Sequence, residues 1–243
     1  MELTAPRGRV VGEFFLVVLG VLAALMVDTW IEQRHDDNLR QEYLARLADD
    51  LEADRQSLDY RISFFTSVHS FGLQTLANLQ TDEPVDQNAI LAAYYASENF
   101  AFRSLENTYQ DLQSTGNIRL LEDLDLRLAL ASYYRKIRAD GGDPSEAYRE
   151  TVRGIIPWKI QGAIREHCPT IDDIGEVPTG FPPCKIPDMS ADEVSAVIQA
   201  LRAHLGILEV LTYRVSDIDT KVYLFKGQRE TALGVLAQLS EEQ

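Results

Sequence analysis

Cysteine is scarce: Cys168 and Cys184 are the two in 243 residues. Two thiolates fall short of the roughly four Cys and His ligands of a structural zinc site, whereas an even pair in one region suits a single disulfide. The four histidines, His35, His69, His167 and His204, form no HExxH and no i, i+4 pair. His167 beside Cys168, with Asp172 and Cys184 near, can be drawn as a metal site. A disulfide with a bystander histidine accounts for the same residues, and no metal is expected. The P-loop, G-x-G-x-x-G and G-x-S-x-G signatures are missing as well. Ser114-Thr115-Gly116-Asn117 reads as a helix stop, and Asp123 and Asp125 read as exposed helix positions. The pairs Tyr94-Tyr95 and Tyr133-Tyr134 read as one core ring and one surface ring each. No catalytic residue, no cofactor and no enzyme activity are expected.

Basic residues are also few: 23 Lys and Arg stand against 38 Asp and Glu, a formal net charge of −15. A surface this acidic repels nucleic acid and anionic lipid heads, so no nucleic-acid partner is expected. Strand-type alternation and internal repeats are missing. At 45% hydrophobic residues the chain buries a sizeable core, which excludes global disorder.

One long hydrophobic run is present. Residues 14–27, FFLVVLGVLAALMV, are uninterrupted apolar. At ~1.5 Å per residue they cover only about 21 Å, but extended from Val10 to Ile31 the helix reaches about 33 Å, enough for a ~30 Å hydrocarbon core. Trp30 then falls at the interface. A cleaved signal peptide competes, with Arg7 and Arg9 as its basic start. Glu13 at the head of the run, and the helical register continuing through MVDTWIEQRHDDNLRQEYL without a small-x-small site, favour an uncleaved anchor. A buried helix of a soluble protein would need a polar stripe, which 14–27 lacks. The Lys and Arg count does not orient the span. A short basic tail at 1–9 and a disulfide downstream favour a cytoplasmic N-terminus, a span at 10–31, and residues 32–243 as a periplasmic domain of a bacterial inner-membrane protein.

That domain reads as all-α. From Ile31 to about Gln80 there is no proline and only Gly72, while Leu44, Leu47, Leu51, Leu58, Ile62 and Phe65 follow 3/4 spacing. The spacing predicts one long helix continuous with the span, with Asp49, Asp50, Glu52, Asp54 and Arg55 on its solvent face. Asp86 caps a second helix; Leu105–Ser114 is a third, stopped by Gly116; Leu120–Arg138 is a fourth, on Leu121, Leu124, Leu128, Ala131 and Ile137. A fifth starts at Asp143-Pro144 and divides at Pro157. The stretch 168–189 has five prolines and two glycines and reads as an irregular, disulfide-closed loop. Ser190-Ala-Asp-Glu193 is a capping box, Gly206 an interruption, and Ile207–Leu239 a last long helix.

Two stretches carry a resemblance. In GEFFLVVLGVLAALMVDTWIEQR, residues 12–34, Gly12-Glu13 precedes the apolar run and Asp28-x-Trp30 follows it. In TYQDLQSTGNIRLLEDLDLRLALASYYRKI, residues 108–137, a Tyr-x-x-Leu-x-x-x-Gly turn leads to Leu-Arg and a paired Tyr-Tyr. Together they resemble a bacterial family of uncharacterised, N-terminally anchored, single-span helical membrane proteins. The resemblance covers about the first 140 residues. It implies the anchor and the helical fold, and it transfers no activity and no catalytic residue.

Within the span, Glu13 is an ionisable group at a membrane edge, which either snorkels and pairs with Arg9 or meets a partner's cation. Gly20 and Ala24 form a small-xxx-small pair that permits close helix approach. These residues point to a non-enzymatic accessory or structural subunit of a larger membrane complex; photosynthetic and respiratory machinery both fit, and the sequence selects neither. It would contact lipid and other transmembrane helices through Glu13, Gly20 and Ala24, with homo-oligomerisation as a further option. The alternative is a periplasmic ligand or stress sensor, against which the nine-residue tail leaves no room for an output domain.

Overall fold

The structure, a computed structural model, describes residues 7–100, 104–140, 145–168 and 189–242, with the side chains among them except those of 7–13 and 140. All regular structure among the described residues is helical. Helix α1 runs unbroken over Arg7–Gln80, 74 residues. The expected continuity of the apolar run with the long helix is therefore present, and nothing in 31–80 interrupts the backbone hydrogen-bond ladder.

Seven further helices follow: α2 Gln87–Tyr95, α3 Asn107–Ser114, α4 Leu124–Asp140, α5 Ala147–Ile155, α6 Trp158–His167, α7 Ala191–Ala203 and α8 Ile207–Glu242. Their ends are set locally. The Asp86 carboxylate accepts the Asn88 amide at 2.9 Å. Ser190 and Glu193 exchange both capping-box bonds, at 3.3 and 3.0 Å. Gly116 (φ 76°) ends α3, and Gly206 (φ 85°) sits where α7 and α8 meet at 85°. These are left-handed conformations that glycine adopts at little cost. Pro157 divides α5 from α6 as its ring requires. Two expected boundaries move. The stretch 117–120 is a 3-10 turn, and α4 begins at Leu124, where Asp123 accepts the Asp125 amide at 2.8 Å. The cap expected at Asp143-Pro144 lies outside the described residues, as does nearly all of the loop 168–189.

The domain is organised by α1 and α8, which run antiparallel. Arg40 meets Glu242, Asp59 meets Arg229, Phe65 and Phe225 rings lie 5.9 Å apart, and Gly72 faces Val215. A Cβ at Gly72 would lie 2.6 Å from a Val215 methyl, so the missing side chain is what lets the two helices approach there. Three core clusters string along this pair. The first, nearest the apolar N-terminal segment, gathers Leu44, Leu47 and Leu51 with Tyr109, Leu130 and Val235. Leu58, Phe65 and Phe225 form the middle. Farthest out, α2, α5, α6 and α7 wrap the end of the pair around Ile90, Tyr148, Val152 and Leu201.

Three side-chain expectations are corrected. On α4, Leu124 and Leu128 are exposed, and Leu126, Leu130, Tyr133 and Tyr134 are buried instead. The helix is apolar on two faces, and the one carrying the tyrosine pair packs inward. All four paired tyrosines are core, none at the surface. Asp54, assigned to the solvent face of α1, is 1% exposed.

Candidate functional site

From Phe14 to Ile31, α1 touches almost nothing of its own chain. Phe14, Leu16 and Met26 are exposed by 65%, 75% and 73%, which is the reverse of what such residues do in water. Among the described residues this is the single continuous helix long and apolar enough to cross a membrane. The bent pair α7–α8 passes that test only as a broken span, and its Val194, Ile198, Leu201, Ile207 and Leu211 are buried in the domain core. A Cβ placed at Gly20 would meet nothing within 4 Å beyond the helix's own backbone, and Ala24, one turn on, is exposed beside it, so the two present an open, thin face. Trp30 is 57% exposed at the end of the run, with the Arg34 guanidinium 5.0 Å from its ring centroid. The Thr29 hydroxyl donates to the Leu25 carbonyl at 2.8 Å, so it adds no unsatisfied donor there. The Glu13 side chain lies outside the described residues.

Just past the run, α1 and the turn after α3 enclose a polar crevice of about 570 Å³. Thr29, Glu32, Asp36 and Arg40 supply one wall, and Arg119 and Glu122 the other. Arg119 donates to Asp36 at 2.9 Å, which pins the turn to the helix, and Arg40 pairs with Glu242 at the end of α8.

A second polar assembly is internal. The α3 N-terminus has no side-chain cap of its own. Its amides are taken by carboxylates one turn apart on α1: Asp54 accepts from Leu105 at 2.8 Å and Asp50 from Thr108 at 3.2 Å. Negative groups at a helix N-terminus satisfy its free N–H groups and its dipole. Asp54 also accepts the Tyr133 hydroxyl at 2.9 Å. Burial pushes the Asp54 carboxyl up to about 6 despite these bonds, and Asp50 and Glu106 add to the rise. Burial and Asp54 likewise hold the Tyr133 phenol far above its ordinary value. Holding the Leu105 amide and the Tyr133 hydroxyl at once, Asp54 clamps the start of α3 and the middle of α4 onto α1.

At the far end, a groove of about 820 Å³ between the start of α2 and α7 is lined by Asp82, Glu83, Asp86, Val194, Ile198 and Arg202. Cys168 ends α6, buried and not a free thiol. Cys184, and Asp172 of the drawn metal site, lie outside the described residues. His35, His167 and His204 are exposed on separate elements, and among the described residues no three His, Cys, Asp or Glu side chains gather as a metal site. The clamp of Asp50 and Asp54 escaped the sequence, because its partners lie more than fifty residues away. No family model matches the chain, and neither a curated protein nor a solved structure is significantly similar to it.

Proposed function

We propose that this chain is a single-pass protein of a bacterial inner membrane that serves as a non-enzymatic accessory or structural subunit of a larger membrane complex. The N-terminus lies in the cytoplasm and the helical domain in the periplasm. One observation carries the reading: a single helix is exposed and apolar from Phe14 to Ile31, then becomes the spine of a packed domain from Tyr43 onward. Bilayer explains the first part and the domain core the second. A partner's helix would meet the span at Glu13 and along the Gly20/Ala24 face, where no long side chain intervenes. The domain adds a second contact, and linked contacts hold better than either alone. A bond between Cys168 and Cys184 belongs to the same reading. It encloses 15 residues and suits an oxidising compartment, contributing roughly 3 kcal/mol on the chain-entropy account. The second reading, a ligand sensor, draws on the groove beside α7.

A phosphatase fused after α8 is expected to be active, and an inactive fusion with an active cytoplasmic reporter overturns the orientation. Replacing residues 10–31 by a Leu/Ala span of equal length, with the domain intact, is expected to lose the partner on purification from native membranes. Unchanged recovery would show that the span is a tether only.

A further inference from the structure

We propose that the crevice at the base of the domain binds the headgroup of a phospholipid that carries a primary ammonium, with an acyl chain of the same lipid lying along α1. The proposal rests on the reading of Phe14–Ile31 as a membrane span.

Position comes first. The crevice opens directly beyond the apolar run, at Thr29 and Glu32, the level at which Trp30 marks the edge of the hydrocarbon. Val18, Leu22, Leu25, Thr29, Glu32 and Asp36 follow one another at alternating spacings of four and three, so they share one face of the helix. A chain lying on Val18, Leu22 and Leu25 therefore delivers its headgroup into the crevice. The turn bearing Arg119 and Glu122 roofs it, which distinguishes this face from the bare sides of the helix.

Charge selects the headgroup. Arg119 is tied to Asp36, and Arg40 to Glu242. Among the described residues the crevice carboxylates Glu32, Asp37 and Glu122 have no ion pair, while its two guanidiniums, Arg40 and Arg119, are both engaged, so the crevice holds surplus negative charge. A phosphate meets the Arg119 guanidinium, which at 64% exposure has donors to spare. The ammonium of the same headgroup meets the unpaired carboxylates that line the crevice with Arg119, namely Glu32, Asp37 and Glu122. A headgroup with phosphate and no ammonium leaves these three carboxylates uncompensated and is repelled by them.

The test uses the full chain in mixed micelles of phosphatidylethanolamine and phosphatidylglycerol in equal amounts, with retained lipid counted by native mass spectrometry. The wild-type chain is expected to retain the ethanolamine lipid about tenfold over the glycerol lipid. Glu32→Gln with Asp37→Asn and Glu122→Gln is expected to bring the ratio to parity; all three residues are exposed and without an ion pair among the described residues, so folding is not at stake. Equal retention by the wild-type chain, or an unchanged ratio in the triple variant, overturns the proposal. Flotation with vesicles of the same two lipids separates the readings. A chain that floats but shows no preference overturns the headgroup site alone, whereas a chain that fails to float overturns the span.

Discussion

Replacing Arg214 by alanine is expected to cost the domain about 3–5 kcal/mol, read as a lower urea midpoint at unchanged slope for the full chain in mild detergent. Arg214 is 1% exposed on α8 and, among the described residues, makes no ion pair with a carboxylate. Its guanidinium instead donates to backbone carbonyls: Glu98 at 2.6 Å, Ser145 at 3.0 Å and Ala96 at 3.4 Å. It thereby gathers the chain leaving α2 and the chain entering α5 onto α8. Burial pulls its pKa down, yet the planar fork stays charged and reaches several acceptors at once. Alanine leaves those carbonyls buried without a donor as well as leaving a hole. Lysine offers charge without the fork and should recover only part of the loss. A loss below about 1 kcal/mol for alanine would show that water satisfies these carbonyls and that the arginine is dispensable.

Asp54→Asn is expected to change how stability depends on pH. The folded carboxyl sits at about 6 against an ordinary 3.8, so the folded state holds this proton more tightly than the unfolded one. Its contribution is fully present below the unfolded value and is lost as pH rises through the folded value. A shift of this size corresponds to roughly 2–3 kcal/mol between pH 4 and pH 7. Asparagine keeps an acceptor for the Leu105 amide and cannot ionise. Relative to the wild-type chain, the variant should therefore gain stability by that amount between pH 4 and pH 7, measured by urea unfolding at each pH. Parallel pH profiles for the two chains would show that Asp54 is solvated in the folded protein.

The same residue shows where sequence reasoning ends. Features whose cause lies within a few residues were legible: the capping box at Ser190, the Asp86 cap, the stops at Gly116 and Gly206, and the break at Pro157. The inward face of α1 was legible too, because Leu44, Leu47, Leu51 and Phe65 repeat at helical spacing and all are buried. Asp54 lies beside that face, and only the arrival of Leu105 and Tyr133 from far along the chain decides that it is enclosed. On α4, leucines on two faces made the period ambiguous, and packing of Tyr133 and Tyr134 chose between them. For the candidate site, the apolar run that stands exposed from Phe14 to Ile31 could be located from the sequence alone. The crevice could not, since Arg119 and Asp36 are 83 residues apart in sequence.

Because α1 has no joint between the apolar segment and the domain, the two can only tilt together. From Ile31 to Gln80 the helix is about 74 Å long at ~1.5 Å per residue. With Phe14–Ile31 in a bilayer, a 10° change in lean carries the α7–α8 corner, where Leu205 is 94% exposed, sideways by about 13 Å. Transmembrane helices lean to match the thickness of their bilayer. On the proposed reading as a membrane span, α1 makes the protein a lever: a small change in membrane thickness at its foot becomes a displacement of more than a helix diameter at its head.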